Sequence, residues 1–106
     1  MWLLLLMMSL DTRKDFSYIM NVITKPKILK AVRLMPPKEQ VLFAKLVRDL
    51  HEKGPVLPNW PSYKKLVNTN THHCHLSYHW AACWIETIKG IELEVTYVGS
   101  RENAPY

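Results

Sequence analysis

The rhythm of apolar positions changes along the chain, from alternation to helical spacing and back to alternation. Between residues 15 and 23, Phe16, Tyr18, Met20 and Val22 fall on every second position, with Ile19 and Ile23 as exceptions. That period of two predicts a strand. Thr24 then stands where a helix N-cap belongs, and Pro26 falls in the first turn, where its missing N–H costs nothing. Ile28, Val32 and Met35 follow at i, i+4 and i+7, one apolar face of a short helix over about 26–35, which Pro36-Pro37 ends. A second helix is predicted from about Pro37 to Lys53, with Val41, Leu42, Leu46, Val47 and Leu50 as its apolar stripe and Gly54-Pro55 as its stop. So short a turn between two helices makes a hairpin, antiparallel or steeply crossed.

Residues 55–71 are turn-rich and carry three prolines, which excludes a helix there. Three strands are predicted beyond them, at about 73–77, 79–86 and 91–98. In the last, Ile91, Leu93, Val95 and Tyr97 alternate with Glu92, Glu94 and Thr96, and Lys89-Gly90 supplies the turn before it. Such alternation belongs to a half-buried sheet, with helices on one face and the other open. The expected architecture is α+β: strand, helix, helix, then three antiparallel strands.

At 106 residues and 48% hydrophobic content the chain can build one core, so one domain is expected, without disulfide staples. Two cysteines, Cys74 and Cys83, are too few for a secreted disulfide framework and point to a reducing cytoplasm. The net charge of +5 is uneven: residues 1–54 hold ten Lys/Arg against five Asp/Glu, and residues 55–106 hold four against four. A basic first half suits an anionic partner, nucleic acid or an acidic protein, and equally a solvated lysine-rich helix surface. The opening MWLLLLMMSL has no basic residue before its apolar run and is about half the ~20 residues a membrane span needs, so neither a secretory signal nor a membrane anchor is expected. Residues 1–14 read as an apolar extension packed on the body or on a second copy of the chain, a route to a homodimer. An upstream start codon or an artificial extension is the alternative.

Candidate chemistry concentrates in HHCHLSYHWAACW, residues 72–84, which holds four of the five histidines and both cysteines. As a zinc site it would offer His73 and His75 with His79 or Cys83, but the spacing fits no recognised ligand pattern, so no metal and no cofactor are expected. Cys74, Cys83, Trp80 and Trp84 read as packing residues. Trp60, between prolines, could stack on a base or pin a loop to the core. Lys64 and Lys65 could contact phosphates or form a solvated loop.

The order of elements, the segment GPVLPNWPSYKKL (54–66), the His73-Cys74-His75-Leu76 strand and the ending YVGSRENAPY (97–106) together resemble the RelE/ParE superfamily of bacterial toxin–antitoxin toxins, over roughly residues 15–106. Residues 1–14 lie outside the resemblance. It implies a microbial RNase-like α+β fold, two N-terminal helices on a curved antiparallel sheet with a concave nucleic-acid-facing surface. It also implies a cognate antitoxin whose tail wraps the toxin. RelE-type members cut messenger RNA on the ribosome without metal, by attack of a ribose 2′-hydroxyl on the adjacent phosphate; ParE-type members inhibit gyrase. Carried over by position, His73 and His75 fall on the strand where RelE-type toxins place two lysines. Arg101 matches the arginine on the scissile phosphate, and Tyr106 lies near the tyrosine that stacks on a base. The chain departs from that pattern at Trp80, which stands in place of an arginine, and in its neutral second half. The expected site is therefore His73, His75 and Arg101 as catalytic residues, with Tyr106, Lys64 and Lys65 holding substrate. A non-catalytic binding protein of the same fold, a ParE-like gyrase inhibitor or an inactive relic, stands as the alternative.

Overall fold

Pro26 opens the first helix, α1 (Pro26–Arg33), and Pro37 the second, α2 (Pro37–Lys53), in the computed structural model, which describes residues 19–106. The cap of α1 is Lys25, one residue later than Thr24, and it makes no side-chain capping bond; the proline alone fixes the start. Gly54 ends α2 with φ +86°, a backbone state that glycine reaches freely, and its N–H donates to the Leu50 carbonyl at 3.0 Å.

Five strands form one sheet in the order β1-β5-β4-β3-β2: β1 (Asn21–Ile23), β2 (Lys64–Lys65), β3 (Thr71–His75), β4 (Trp80–Ile88) and β5 (Glu92–Ser100). The sheet is mixed and not wholly antiparallel, because β1 lies parallel to β5, Val22 opposite Leu93. The two helices carry the chain from this edge to β2 at the far one, and β3, β4 and β5 then step back across the sheet until β5 meets β1, a connection long enough for a parallel pair. The turn-rich stretch before β3 also contributes the two-residue edge strand β2, which the three prolines around it obscure in the sequence. Residues 1–14, the apolar positions Phe16 and Tyr18, and the homodimer contact expected of the N-terminal segment lie outside the described residues.

The helices cover one sheet face, and the core between them is built from Met20, Ile28, Met35, Phe43, Leu46, Leu50, Leu57, Trp60, Cys74, Leu76, Ala82, Trp84, Leu93, Val95 and Val98. On α2 the buried stripe is Phe43, Leu46 and Leu50, whereas Val41 is 70% exposed. At about 100° per residue Val41 sits well off the line through 43, 46 and 50, and Leu42 and Val47 flank it. Trp60 is in this core as well: its indole N–H donates to Asp49 on α2 at 2.8 Å, which fixes the 55–61 loop and leaves the ring no base to stack on.

The clean alternation expected along β5 breaks once. Cys83 pairs with Tyr97 but Trp84 pairs with Val95, so Thr96 is left over as a β-bulge. The extra residue inverts the pattern beyond it: Val98 enters the core with Leu93 and Val95, and Tyr97 turns to the opposite face. Ile91, expected inward, belongs to the turn and is 59% exposed.

Candidate functional site

The face away from the helices is built from alternate residues of β3, β4 and β5. Cross-strand partners share a face, and the register runs His73–Cys83–Tyr97 in one row and His75–Ala81–Gly99 in the next. Gly99 is required in its row: a Cβ there would lie 2.8 Å from the Tyr97 hydroxyl oxygen, which passes over it to donate to the Ser100 carbonyl at 2.7 Å.

This face is not bare. After β5 the chain turns back, with the Ala104 N–H on the Arg101 carbonyl and the Tyr106 N–H on the Ala104 carbonyl, and lays Tyr106 on the sheet. The Tyr106 ring stacks on His73 with centroids 4.2 Å apart and planes 17° apart. His73 is consequently only 3% exposed, and neither ring nitrogen finds a partner among the described residues. Buried imidazole nitrogens without partners are costly, so packing alone does not account for the position of this ring. Burial first, then the neighbouring His75 and Lys64, hold His73 below the ordinary imidazole value. His75, its ring centroid 6.1 Å away, is lowered too, by burial and then by the Arg101 guanidinium. Tyr106 moves the other way, raised chiefly by burial, so its hydroxyl keeps its proton.

Arg101 is exposed and held from two sides. Its N–H donates to the His79 carbonyl at 2.9 Å, Nη1 donates to the Tyr78 carbonyl at 2.6 Å, and the guanidinium lies 5.3 Å from the Tyr78 ring centre. Two hollows adjoin across His75 and Tyr106. One, about 590 Å³, is walled by Tyr78, His79, Trp80 and Arg101; the other, about 510 Å³, by Ser62, Tyr63, Lys64 and His73.

The predicted residues thus divide. His73, His75, Arg101, Tyr106 and Lys64, which pairs with His73, come together on one face. Lys65 does not: it pairs with His72 and turns to the other side of the sheet, since adjacent strand residues alternate. Neither thiol is poised for reaction, because burial pushes Cys74 up to about 12 and Cys83 up to about 11. Among the described residues no group of three or more His, Cys, Asp or Glu is arranged to hold a metal, and no helix is long and apolar enough to cross a membrane. Sequence reasoning missed Tyr97 and Tyr78 as members of this surface. The bulge hides the first; the second sits in the β3–β4 turn, outside any alternating pattern.

No family model matches this chain, and no curated protein matches its sequence. Among solved structures, the chain is similar to the YoeB dimer from Staphylococcus aureus, with a TM-score of 0.56 and 11% identity over 72% of this chain and 90% of that one. What this likeness shows is a YoeB-like fold.

Proposed function

We propose that this protein is the toxin of a toxin–antitoxin pair and acts as a metal-independent endoribonuclease that cuts messenger RNA on the ribosome in the cytoplasm. One observation carries the reading. Two histidines from β3, an arginine following β5 and a tyrosine from the returning chain end meet on the sheet face opposite the helices. The YoeB-like fold, that of a RelE-family toxin, supports it.

The chemistry needs a proton acceptor for the 2′-hydroxyl, a proton donor for the departing 5′-oxygen, and a cation beside the phosphate as its charge builds. The 2′-oxygen attacks the adjacent phosphorus, the bond to the 5′-oxygen breaks, and a cyclic phosphate and a 5′-hydroxyl result. His73 and His75 share the proton transfers, and Arg101 takes the phosphate. Tyr106 stacks on a base and so leaves His73 when substrate enters, and Lys64 adds a phosphate contact at the rim. The partners that follow are an antitoxin, the ribosome with its messenger, and a second copy through the N-terminal segment.

The pH profile tests the assignment. A base must be deprotonated and an acid protonated, and both imidazoles are held below about 6.5. Cleavage should therefore be bell-shaped with its maximum below about pH 6.5. A plateau running far above pH 7 would transfer the acid role to Tyr106. Induced expression gives the coarser test: translation arrest with cut messenger supports the nuclease. Intact messenger with stalled gyrase would replace it with the ParE-like alternative, and no growth arrest at all would leave an inactive relic.

A further inference from the structure

Tyr78 is 76% exposed, an apolar ring that the core does not use. The turn that carries it is nevertheless tied on several sides. In the turn from β3 to β4, the Leu76 N–H donates to the Trp80 carbonyl at 2.8 Å. The neighbouring Ser77 hydroxyl donates to the Glu39 carboxylate at 2.9 Å, fastening the turn to α2. The Tyr78 carbonyl itself receives Arg101 Nη1. His79 meets the Tyr78 ring edge-on, centroids 4.7 Å apart at 80°. A single exposed ring is ordinary by itself; what sets Tyr78 apart is the guanidinium at 5.3 Å from its centre and the fastened turn that holds the pair together. Its neighbour in the same hollow is Arg101, the one group there with a permanent positive charge among the described residues, with Glu102 also on the wall.

Resting on the nuclease reading above, we propose that Tyr78 is a base-stacking platform, which takes the nucleobase of a nucleotide whose phosphate pairs with Arg101. The geometry fits a nucleotide because its two halves want different surfaces. The phosphate needs a cation with N–H groups to spare, and Arg101 spends one donor group on the Tyr78 carbonyl and presents the remainder of its fork. The base needs a flat apolar face, and a tyrosine ring beside a guanidinium plane offers both surfaces on which unpaired RNA bases stack. The hollow, about 590 Å³, falls within the range of sites that accept small organic groups, roughly 300–1,000 Å³. Tyr106 lines the same hollow, so bases on the two sides of one phosphate have separate rings to lie on. Sequence preference at one flanking position of the cut would then reside in the β3–β4 turn.

The test uses the full chain and a fluorescently labelled RNA trinucleotide with 2′-O-methyl riboses, which binds without being cut, together with versions lacking one base each. Tyr78→Ala should raise the Kd about 5- to 150-fold, and Tyr78→Phe should leave it within about twofold. Tyr78→Leu, which keeps apolar bulk without a π face, should behave like Tyr78→Ala. Removal of one particular base should weaken the wild type but make no further difference to Tyr78→Ala. Arg101→Ala should lower the salt slope of binding by about 0.7, while Tyr78→Ala leaves that slope unchanged. A Tyr78→Ala Kd within twofold of wild type, alongside clear losses in His75→Ala and Arg101→Ala, would overturn the platform and leave the nuclease standing. A slope lowered as in Arg101→Ala would overturn it as well, reducing Tyr78 to a support for the arginine. A wild type that does not bind the trinucleotide would overturn the platform, whereas the nuclease reading, which places the messenger on the ribosome, falls only if messenger stays intact on induced expression.

Discussion

His72 and His73 are neighbours on β3, yet the sheet gives them opposite fates. His72 points toward the helices, where Tyr63 Oη lies 2.8 Å from its Nδ1 and its ring stacks parallel to Trp84, centroids 6.0 Å apart. His73 points the other way and is buried as deeply, but no polar group meets its nitrogens among the described residues. The first histidine is part of an aromatic cluster in which the ring centroids of Tyr63, His72 and Trp84 all lie within 6.1 Å of one another, with Trp84 in the core. The second lies under a removable tyrosine, beside His75 and Arg101. A strand can therefore carry structure on one face and, in the proposed function, reactive groups on the other, and the partner count of each imidazole separates the two.

Four experiments sharpen that contrast or break it. The largest effect should fall on the reactive face: His75→Ala and Arg101→Ala should each cut RNA cleavage by about 10² to 10⁴, with the thermal midpoint nearly unchanged. An equal loss of stability would mean that these residues hold the fold. On the other face Trp84→Ala should do the reverse. It removes the largest fully buried side chain and should cost about 3–5 kcal/mol, read as a fall in the denaturation midpoint. Tyr63→Phe is gentler. It leaves the buried His72 nitrogen unpaired at a cost of about 1–3 kcal/mol, measurable by chemical denaturation. His73→Leu should show the smallest change in stability, within about 1 kcal/mol of wild type or slightly more stable, because it removes unpaired buried polar atoms while cleavage is lost.

Acid should expose the same histidines together. His72, His73 and His75 are all held below the ordinary imidazole value, chiefly by burial. The unfolded chain therefore takes up protons first as pH falls, so stability is full above about 6.5 and declines below it. The thermal midpoint followed from pH 8 to 5 should be flat and then fall, less steeply in His73→Leu. A midpoint that rises toward pH 5 would contradict the burial of all three.

Much of the fold was legible because the helices announce themselves through prolines at 26 and 37, glycine at 54 and a 3.6-residue apolar period. The alternation of β3 likewise places His73 and His75 on a shared face without reference to any structure. What escaped had non-local causes. The parallel docking of β1 is decided by the far end of the chain, and the Val41 error by which of two overlapping stripes the sheet accepts. The stacking of Tyr106 on His73 depends on a return of the chain that no local pattern encodes. Lys64 and Lys65 looked equivalent until the β2–β3 register assigned them to opposite sides.

The leftover residue at Thr96 marks a point in β5 where the chain can lose length without turning a face. Deleting it would let β5 run on without a break. Tyr97 would stay on the open face opposite Cys83 and Val98 would stay in the core, because the deletion removes only the residue that has no partner. Closing the bulge with every residue kept would instead exchange oil for ring on both surfaces at once, although no residue of the site had been altered. Indels elsewhere, in the exposed 67–70 turn for instance, shift nothing across the sheet. Relatives of this protein should therefore either carry one extra residue between the positions of Val95 and Tyr97 or lack it cleanly, with the same groups on each face, while their loops drift.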